Sequence, residues 1–167
     1  MVRNPWEWYV SWYCYMQARG PELMAKRATT ATKAKKQAMW TDTFGSGQAS
    51  FREVVVKACR GDVASAHAQR IRETGTDLYS SYVWGLTEQG VEHDVLTGLR
   101  FESLRSSAET FLEAHDLLTD PVSRALREHA RVNSSHHGEY REYYDQQLRE
   151  LVGEHARRLV DKHEYTF

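Results

Sequence analysis

The first residues of the chain are the ones whose types and spacing could do chemistry. Arg3 is followed by Asn4 and Pro5, and Ser11 lies eight residues beyond Arg3. Asparagine is a favoured helix N-cap and proline suits the first helical position, so we expect a helix to begin at Pro5. An arginine at the mouth of this helix and a serine on its side could bind one anion, assisted by the free N–H groups of the first turn.

The same helix is predicted to be buried, because aromatic residues cover most of its surface. The aromatic positions are Trp6, Trp8, Tyr9, Trp12, Tyr13 and Tyr15. Glu7 and Ser11 are the polar residues on one side of the helix. A helix that is apolar on nearly all other sides lies in a protein core. On these residues alone, a buried aromatic helix with an Asn-Pro cap explains the pattern as well as an anion site does.

This stretch resembles the 3′-phosphate-binding segment of the sulfotransferases that use 3′-phosphoadenosine 5′-phosphosulfate (PAPS). In that family a strand runs into Arg-Asn-Pro, a serine follows the arginine by eight residues, and both side chains hold the 3′-phosphate of the cofactor. The resemblance implies that Arg3 and Ser11 bind the 3′-phosphate of PAPS, or of PAP, its desulfated form. Neither residue is implied to take part in bond breaking.

Two later segments fit the same family in the same order. Residues 96–112 (LTGLRFESLRSSAETFL) resemble the family's strand that ends in Arg/Tyr-Phe/Tyr-Glu-x-Leu and leads into a helix. Residues 132–167 resemble its closing segment, in which an Asn/Ser/His turn precedes a tyrosine-rich helix and a final aromatic-x-Phe. The resemblance implies that this turn approaches the cofactor through Asn133, Ser135, His136 and His137. A polar loop that caps the final helix is the alternative interpretation of these residues.

The parts of the family that perform catalysis have no counterpart in this sequence. The phosphosulfate loop, Pro-Lys/Arg-x-Gly-(Ser/Thr)-(Ser/Thr), is missing, and the glycine-rich residues 44–50 contain no Lys or Arg. We interpret residues 44–50 as a flexible connection and Glu102 as a structural residue. The family's catalytic base lies upstream of Arg-Asn-Pro, so no catalytic residue is assigned. We therefore expect residues 1–167 to be a single, incomplete domain with little transferase activity alone, either a truncated reading frame or a genuine short relative.

Composition restricts the class of protein further. With 41% hydrophobic and 27% charged residues in 167 positions, the chain has the makeup of one globular domain. A net charge of −1 offers no general attraction to nucleic acid or to an anionic membrane. No apolar run approaches the ~20 residues of a membrane span and no signal peptide is recognisable, so we predict a cytoplasmic protein. The two isolated cysteines and the scattered histidines predict neither a disulfide nor a metal site.

The predicted fold class is α/β, a mostly helical C-terminal portion of a P-loop-type sulfotransferase fold with few strands. We expect helices over residues 5–19, 50–60, 77–87, 104–112, 120–131 and 139–162, and a strand at 95–101. Gly20-Pro21 should end the first helix, and the last should be one long amphipathic helix. One strand cannot make a sheet, so the apolar stripes of these helices require absent strands or a partner.

The function that follows from the resemblance is transfer of a sulfuryl group from PAPS to a hydroxyl or amine of an acceptor. Sugar, peptide, lipid and small-metabolite acceptors all remain open. The alternative is a non-catalytic helical interaction protein, or a truncated relative without transferase activity, whose aromatic helix packs against a partner. That alternative predicts no affinity for PAP and self-association that covers an exposed apolar patch.

Overall fold

The described part of the chain is built mainly from α-helices. A computed structural model describes residues 2–25, 34, 37–65, 67–85, 100–128 and 136–167. Its helices are α1 (Pro5–Ala25), α2 (Phe51–Arg60), α3 (Ala68–Thr74), α4 (Leu78–Gly85), α5 (Leu104–Ala114), α6 (Asp120–Glu128), α7 (Gln146–His155) and α8 (Arg157–His163). A π-helical turn at Met39–Thr43 and 3₁₀ turns at Gly45–Gly47 and Tyr140–Tyr143 also occur. The prediction of a mostly helical chain is confirmed. No helix in these residues has the length and apolar character that crossing a membrane requires.

β-Structure in the described residues is one parallel bridge, which joins Val2 to Arg100. The N–H of Phe101 donates to the carbonyl of Val2 at 2.7 Å. Arg100 and Phe101 belong to the predicted strand at 95–101, of which residues 95–99 lie outside the described part of the chain. The bridge sets the start of the chain beside the segment that leads into α5.

Helix α1 lies at the centre of the main core. It contacts α2, α4 and α7, and its Tyr9 and Val10 are fully buried. Other elements contribute apolar side chains to this core, among them Val55, Ala58, Leu78, Leu148, Val152 and Leu159. The ring of Trp8 stacks on that of Tyr79 with centroids 4.5 Å apart, so aromatic stacking holds α4 against α1. The prediction that the aromatic helix is a core element is confirmed.

The first helix is longer than its sequence signals predict. It continues through Gly20 and Pro21 to Ala25, so the predicted end after Arg19 is wrong. Pro21 has no N–H to donate to the preceding turn, which weakens the helix at this point. Gly20 is buried, and the ring of Trp40 packs directly on it. This contact stabilises the helical turn that a glycine-proline pair would otherwise end.

A second, smaller cluster of buried side chains lies beside this end of α1. It consists of Met16, Trp40, Phe44 and Val54. The rings of Trp40 and Phe44 stack with centroids 5.7 Å apart, and Phe44 is fully buried. The interpretation of residues 44–50 as a flexible connection is therefore wrong at Phe44, because burial of that ring anchors the segment.

The predicted helix over 139–162 is interrupted twice. Its first turn is 3₁₀, and Tyr144 is extended, with φ −112° and ψ 129°. Asp145 causes this break, because its carboxylate accepts from the N–H of Leu148 at 2.8 Å and caps α7. A second break at Ala156 separates α7 from α8. One apolar stripe is thus divided between two helices that both bury side chains in the main core.

Helix α2 has the ends that its sequence predicts. The hydroxyl of Ser50 accepts from the N–H of Glu53 at 3.3 Å, while the Glu53 carboxylate accepts from the N–H of Ser50 at 2.7 Å. This reciprocal pair is a capping box. At the other end Gly61 has a φ of 73°, in the left-handed region that glycine adopts without strain. Helices α4 and α6 lie within their predicted ranges.

Helices α5 and α6 pack on each other but bury little. Neither helix has a fully buried side chain in the described structure. Phe111 on α5 and Leu117 in the connection keep 37% and 56% of their surfaces exposed. The pair therefore presents apolar surface that the described part of the chain leaves uncovered.

Asp77 is a fully buried carboxyl at the start of α4. Its Oδ1 accepts from the N–H of Ser80 at 2.6 Å, whereas its Oδ2 has no hydrogen-bond partner in the described structure. Burial raises the pKa of Asp77, and the hydrogen bonds from Ser80 oppose part of that rise. Burial, together with the neighbouring Asp77, also raises the pKa of Tyr9. Ionisation of this carboxyl therefore destabilises the core.

The Gly20→Ala substitution should destabilise the fold, although alanine is the better helix former. The added Cβ would overlap the ring of Trp40, and an extra methyl group in a packed core costs roughly 1–3 kcal/mol. Urea unfolding should show a lower transition midpoint than that of the wild type. In a Trp40→Ala background the same change should be neutral or stabilising. An equal loss in both backgrounds would contradict the contact.

The free energy of unfolding of the Asp77→Asn variant, relative to that of the wild type, should increase as pH rises. A carboxyl whose pKa is raised by folding contributes stability that is fully present below its unfolded-state pKa and is lost as pH rises through its folded-state pKa. Asparagine does not ionise, and its amide oxygen can still accept from Ser80. Urea unfolding from pH 4 to 8 measures the effect. For each unit by which the folded-state pKa of Asp77 exceeds its unfolded-state pKa, the free energy of unfolding of the wild type should fall by about 1.4 kcal/mol relative to that of the variant.

Asp145 provides a matched control whose effect has the opposite sign. The N–H of Leu148 lowers the pKa of Asp145, and Arg52 adds to this effect. Its stabilisation is therefore present above the unfolded-state pKa and is lost as pH falls. The Asp145→Asn protein should be less stable than the wild type at pH 7 and closer to it at pH 3. Parallel pH profiles for wild type and Asp77→Asn would show that burial does not perturb Asp77.

Candidate anion-binding site

Asn4 holds the start of α1, as the sequence predicts. Its Oδ1 accepts from the N–H of Trp6 at 3.0 Å and from that of Glu7 at 3.5 Å, which satisfies two donors of the first turn. Its Nδ2 donates to the carbonyl of Thr166 at 3.0 Å, and its backbone N–H donates to the carboxylate of Glu102 at 2.7 Å. One residue thus ties α1 to the end of the chain and to the segment before α5, where Glu102 serves as a structural acceptor.

Arg3 places its guanidinium between an aromatic ring and a carboxylate. Its Nη2 lies 2.6 Å from Oε1 of Glu7, and its Cζ lies 4.6 Å from the ring centroid of Phe101. The second contact is a cation–π interaction. The backbone N–H of Arg3 donates to the hydroxyl of Tyr79 at 2.6 Å. The side-chain Nε is buried and has no hydrogen-bond partner in the described structure, so one donor of the guanidinium lacks an acceptor.

Ser11 is buried, and its hydroxyl contacts a histidine from a distant segment. Its Oγ lies 2.9 Å from Nε2 of His137. The other ring nitrogen of His137, Nδ1, lies 2.8 Å from the carbonyl oxygen of Gly138. Both nitrogens of the ring are therefore engaged, and the ring orientation is defined by two hydrogen bonds.

Arg3, Glu7, Ser11 and His137 form what we term the polar strip, which follows one flank of α1. Glu7 lies four residues beyond Arg3 and four before Ser11, and side chains four apart on a helix are neighbours. Arg3 contacts Glu7 at one end of the strip, and Ser11 contacts His137 at the other. Arg3 and Ser11 thus lie along the same flank, on either side of Glu7.

The polar strip can offer several hydrogen-bond donors to an anion. They come from the guanidinium of Arg3 and from the hydroxyl of Ser11, which an anion would have to take from Glu7 and His137 respectively. The carboxylate of Glu7 opposes them, because it neutralises Arg3 and would repel a phosphate. The side chains of Arg3 and Glu7 retain 19% and 27% exposure, so water screens the pair and an anion can compete for the guanidinium. Within the described residues, no group of three or more His, Cys, Asp or Glu side chains could hold a metal ion.

The other predicted cofactor contacts do not belong to the polar strip. His136 is exposed, and it is the ring of its neighbour His137 that reaches Ser11. Asn133 and Ser135 lie outside the residues that the structure describes. Of the six residues predicted to bind the cofactor, Ser11 and His137 are in contact with each other, and Arg3 is paired with Glu7, which lies four residues before Ser11.

Sequence reasoning missed two features of the polar strip. The ion pair between Arg3 and Glu7 has a sequence signal, since opposite charges four residues apart commonly pair on a helix. The ring of Phe101 against Arg3 has no such signal, because it comes from a distant segment that the parallel bridge at Val2 brings close.

Two surface cavities lie away from the polar strip. One, of about 480 Å³, is lined by Tyr144, Asp145, Gln146, Arg149, Glu150 and Phe167. The other, of about 580 Å³, is lined by residues of α7, α8 and the connection after α3. Neither is lined by a residue of the polar strip, so the candidate anion site is distinct from both.

Comparisons of the chain with protein-family profiles, with curated proteins and with solved structures find no match. The geometry of the polar strip and the motifs it carries are therefore the basis for a functional proposal.

Loss of the Asn4 side chain should destabilise the whole fold and not the first turn alone. The Asn4→Ala substitution removes the cap of α1 and the bond to Thr166, and loss of an N-cap alone costs about 0.5–2 kcal/mol. The Asn4→Ser protein keeps a capping oxygen but not the reach to Thr166, so its stability should lie between wild type and Asn4→Ala. Urea unfolding measures both. Equal losses for the two variants would mean that the cap contributes little.

Proposed function

We propose that this chain binds the 3′-phosphate of PAPS or PAP through Arg3 and Ser11, as a member of the PAPS-dependent sulfotransferases. The observation that carries the proposal is the position of both residues on the polar strip, on either side of Glu7. The reaction is then transfer of a sulfuryl group from PAPS to a hydroxyl or amine of an acceptor. A cytoplasmic location stays a prediction, and the acceptor stays open among sugars, peptides, lipids and small metabolites.

The donors of Arg3 fit a phosphate group. Its buried Nε–H lacks an acceptor within the described structure, and a buried donor without a partner is costly unless a ligand or water supplies one. Phe101 supports one face of the guanidinium. A supported, planar guanidinium is suited to a charge-assisted, bidentate grip on phosphate oxygens.

The pairing of Val2 with Arg100 supports the family assignment independently of the polar strip. In the family, strands lead into both the Arg-Asn-Pro motif and the Phe-Glu-x-Leu motif. Here the residues that precede the two motifs are bridged in parallel, as neighbouring strands of a parallel sheet would be. The contact between Asn4 and Glu102 then links the two motifs directly.

When bound, PAPS supplies the activated sulfuryl group for transfer. The residues of this chain bind and orient the cofactor, since Arg3 offsets the charge of the 3′-phosphate and the hydroxyl of Ser11 donates a hydrogen bond to it. Positioning, together with charge stabilisation, accounts for most of the catalysis expected in such a transfer. Because residues 1–167 contain no counterpart of the phosphosulfate loop, we expect little transferase activity from them alone.

Titration calorimetry with PAP tests the proposal. Adenosine 5′-monophosphate, which lacks the 3′-phosphate, serves as the reference ligand. PAP should bind more tightly than this reference, and the difference should shrink roughly 10- to 100-fold in Arg3→Ala, because hydrogen bonds to charged groups contribute about 1.5–3 kcal/mol. The Arg127→Ala variant removes an exposed arginine of α6 and should leave the difference unchanged. Equal affinities for the two nucleotides in the wild type would refute the proposal.

A second candidate function, that of a helical interaction protein, is favoured by α5 and α6. These helices have no fully buried side chain in the described structure, and Phe111 and Leu117 are exposed near their ends. Interaction surfaces are typically exposed apolar patches, and the uncovered apolar side chains of these two helices are where such a patch would form. This candidate predicts concentration-dependent self-association in analytical ultracentrifugation together with no measurable affinity for PAP, so the calorimetric titration separates the two functions.

A further inference from the structure

The hydrogen bonds of His137 determine where its proton lies. A carbonyl oxygen can only accept, so the contact between Nδ1 and the carbonyl of Gly138 requires a hydrogen on Nδ1. In the neutral ring the other nitrogen, Nε2, then carries no hydrogen and acts as an acceptor. The hydroxyl of Ser11, which lies 2.9 Å from Nε2, must therefore donate its hydrogen to His137.

This arrangement limits what Ser11 can offer to an anion. A serine hydroxyl has one hydrogen, and in the neutral state of His137 that hydrogen points at the ring. Ser11 then presents only lone pairs, which repel a phosphate oxygen. When Nε2 takes up a proton it becomes the donor and the Ser11 oxygen becomes the acceptor. The hydroxyl hydrogen of Ser11 is then free to turn towards a phosphate.

We infer that His137 is a positioning residue whose protonation turns the Ser11 hydroxyl from the histidine to the bound phosphate, so that binding of the nucleotide takes up a proton. The inference rests on the proposed function and deepens it. The proton passes from solvent to Nε2 of His137, and no covalent bond other than this N–H forms or breaks. By linkage, a group that is protonated more in the complex than in the free protein makes affinity rise as pH falls.

The two segments that meet at this contact carry both acidic and basic groups. The charged and titratable groups of these segments are Arg3, Glu7, Cys14, His136, Glu139, Tyr140, Arg141, Glu142 and Tyr143. Glu7 lies one helical turn before Ser11 and is paired with Arg3, and the carboxylate of Glu142 approaches Gly138. Arg141 is paired with Glu139 at 3.1 Å. A phosphate held by Arg3 adds negative charge to the polar strip and so favours the imidazolium form of His137.

The test is the number of protons taken up when PAP binds, measured by calorimetry in buffers of different ionisation enthalpy between pH 6 and 8. The His137→Gln variant is the informative comparison, because an amide N–H can donate to Ser11 at every pH. PAP titrates identically in both experiments, so the difference between the proteins isolates the histidine. The wild type should take up more protons than His137→Gln when PAP binds. Its affinity for PAP relative to that of the variant should increase several-fold towards pH 6, and one linked proton limits this increase to about tenfold per pH unit.

Two further measurements separate this role from a structural one. The exposed His115 at the end of α5 provides the control, and His115→Gln should keep the proton uptake of the wild type. In the unmodified protein, NMR titration of the His137 ring should show a higher midpoint with PAP than without it. If PAP binding depends on Arg3 while proton uptake and the ring titration are unchanged, the role of His137 is overturned and the proposed function stands. If PAP does not bind, or binds independently of Arg3, both are overturned.

Discussion

Burial of the aromatic sides of α1 is the constraint on which the rest of the structure depends. The helix contacts α2, α4 and α7, and the ring of Phe167 at the chain end packs edge-on against buried Trp6. Aromatic side chains bury roughly 150–250 Å² each, so this packing supplies much of the apolar stabilisation. Most sides of α1 are thereby committed to the core. One flank is left for polar groups, and Arg3, Glu7 and Ser11 lie along it.

Charge on that flank is balanced within the protein before any anion arrives. Glu7 neutralises Arg3, and His137 engages the hydroxyl of Ser11. A phosphate at the polar strip must exchange these internal contacts for its own, since no buried side-chain donor described there except the Nε of Arg3 is left without a partner. Each internal contact that is lost offsets part of the gain, so the affinity depends on the difference between two sets of hydrogen bonds.

The helix starts at Asn4 and Ser50 were predicted correctly, for a physical reason. The capping side chains of Asn4 and Ser50 act on N–H groups within three residues, so a short stretch of sequence contains the whole interaction. Gly20-Pro21 is an equally local signal, but packing of Trp40 overrides it. The break at Asp145 is also a local cap, and the apolar periodicity that runs across it concealed it.

The sequence by itself determined the aromatic core helix, its Asn-Pro start and the spacing of Arg3, Glu7 and Ser11, because these features depend on neighbours within one or two helical turns. It also carried the resemblance from which the functional hypothesis came. Only the tertiary structure decided which distant groups complete the polar strip. The parallel bridge between Val2 and Arg100 brings the ring of Phe101 against Arg3. His137 contacts Ser11 although the two residues are 126 positions apart in the sequence. Such contacts depend on how the helices pack against one another, and no local spacing rule specifies that packing.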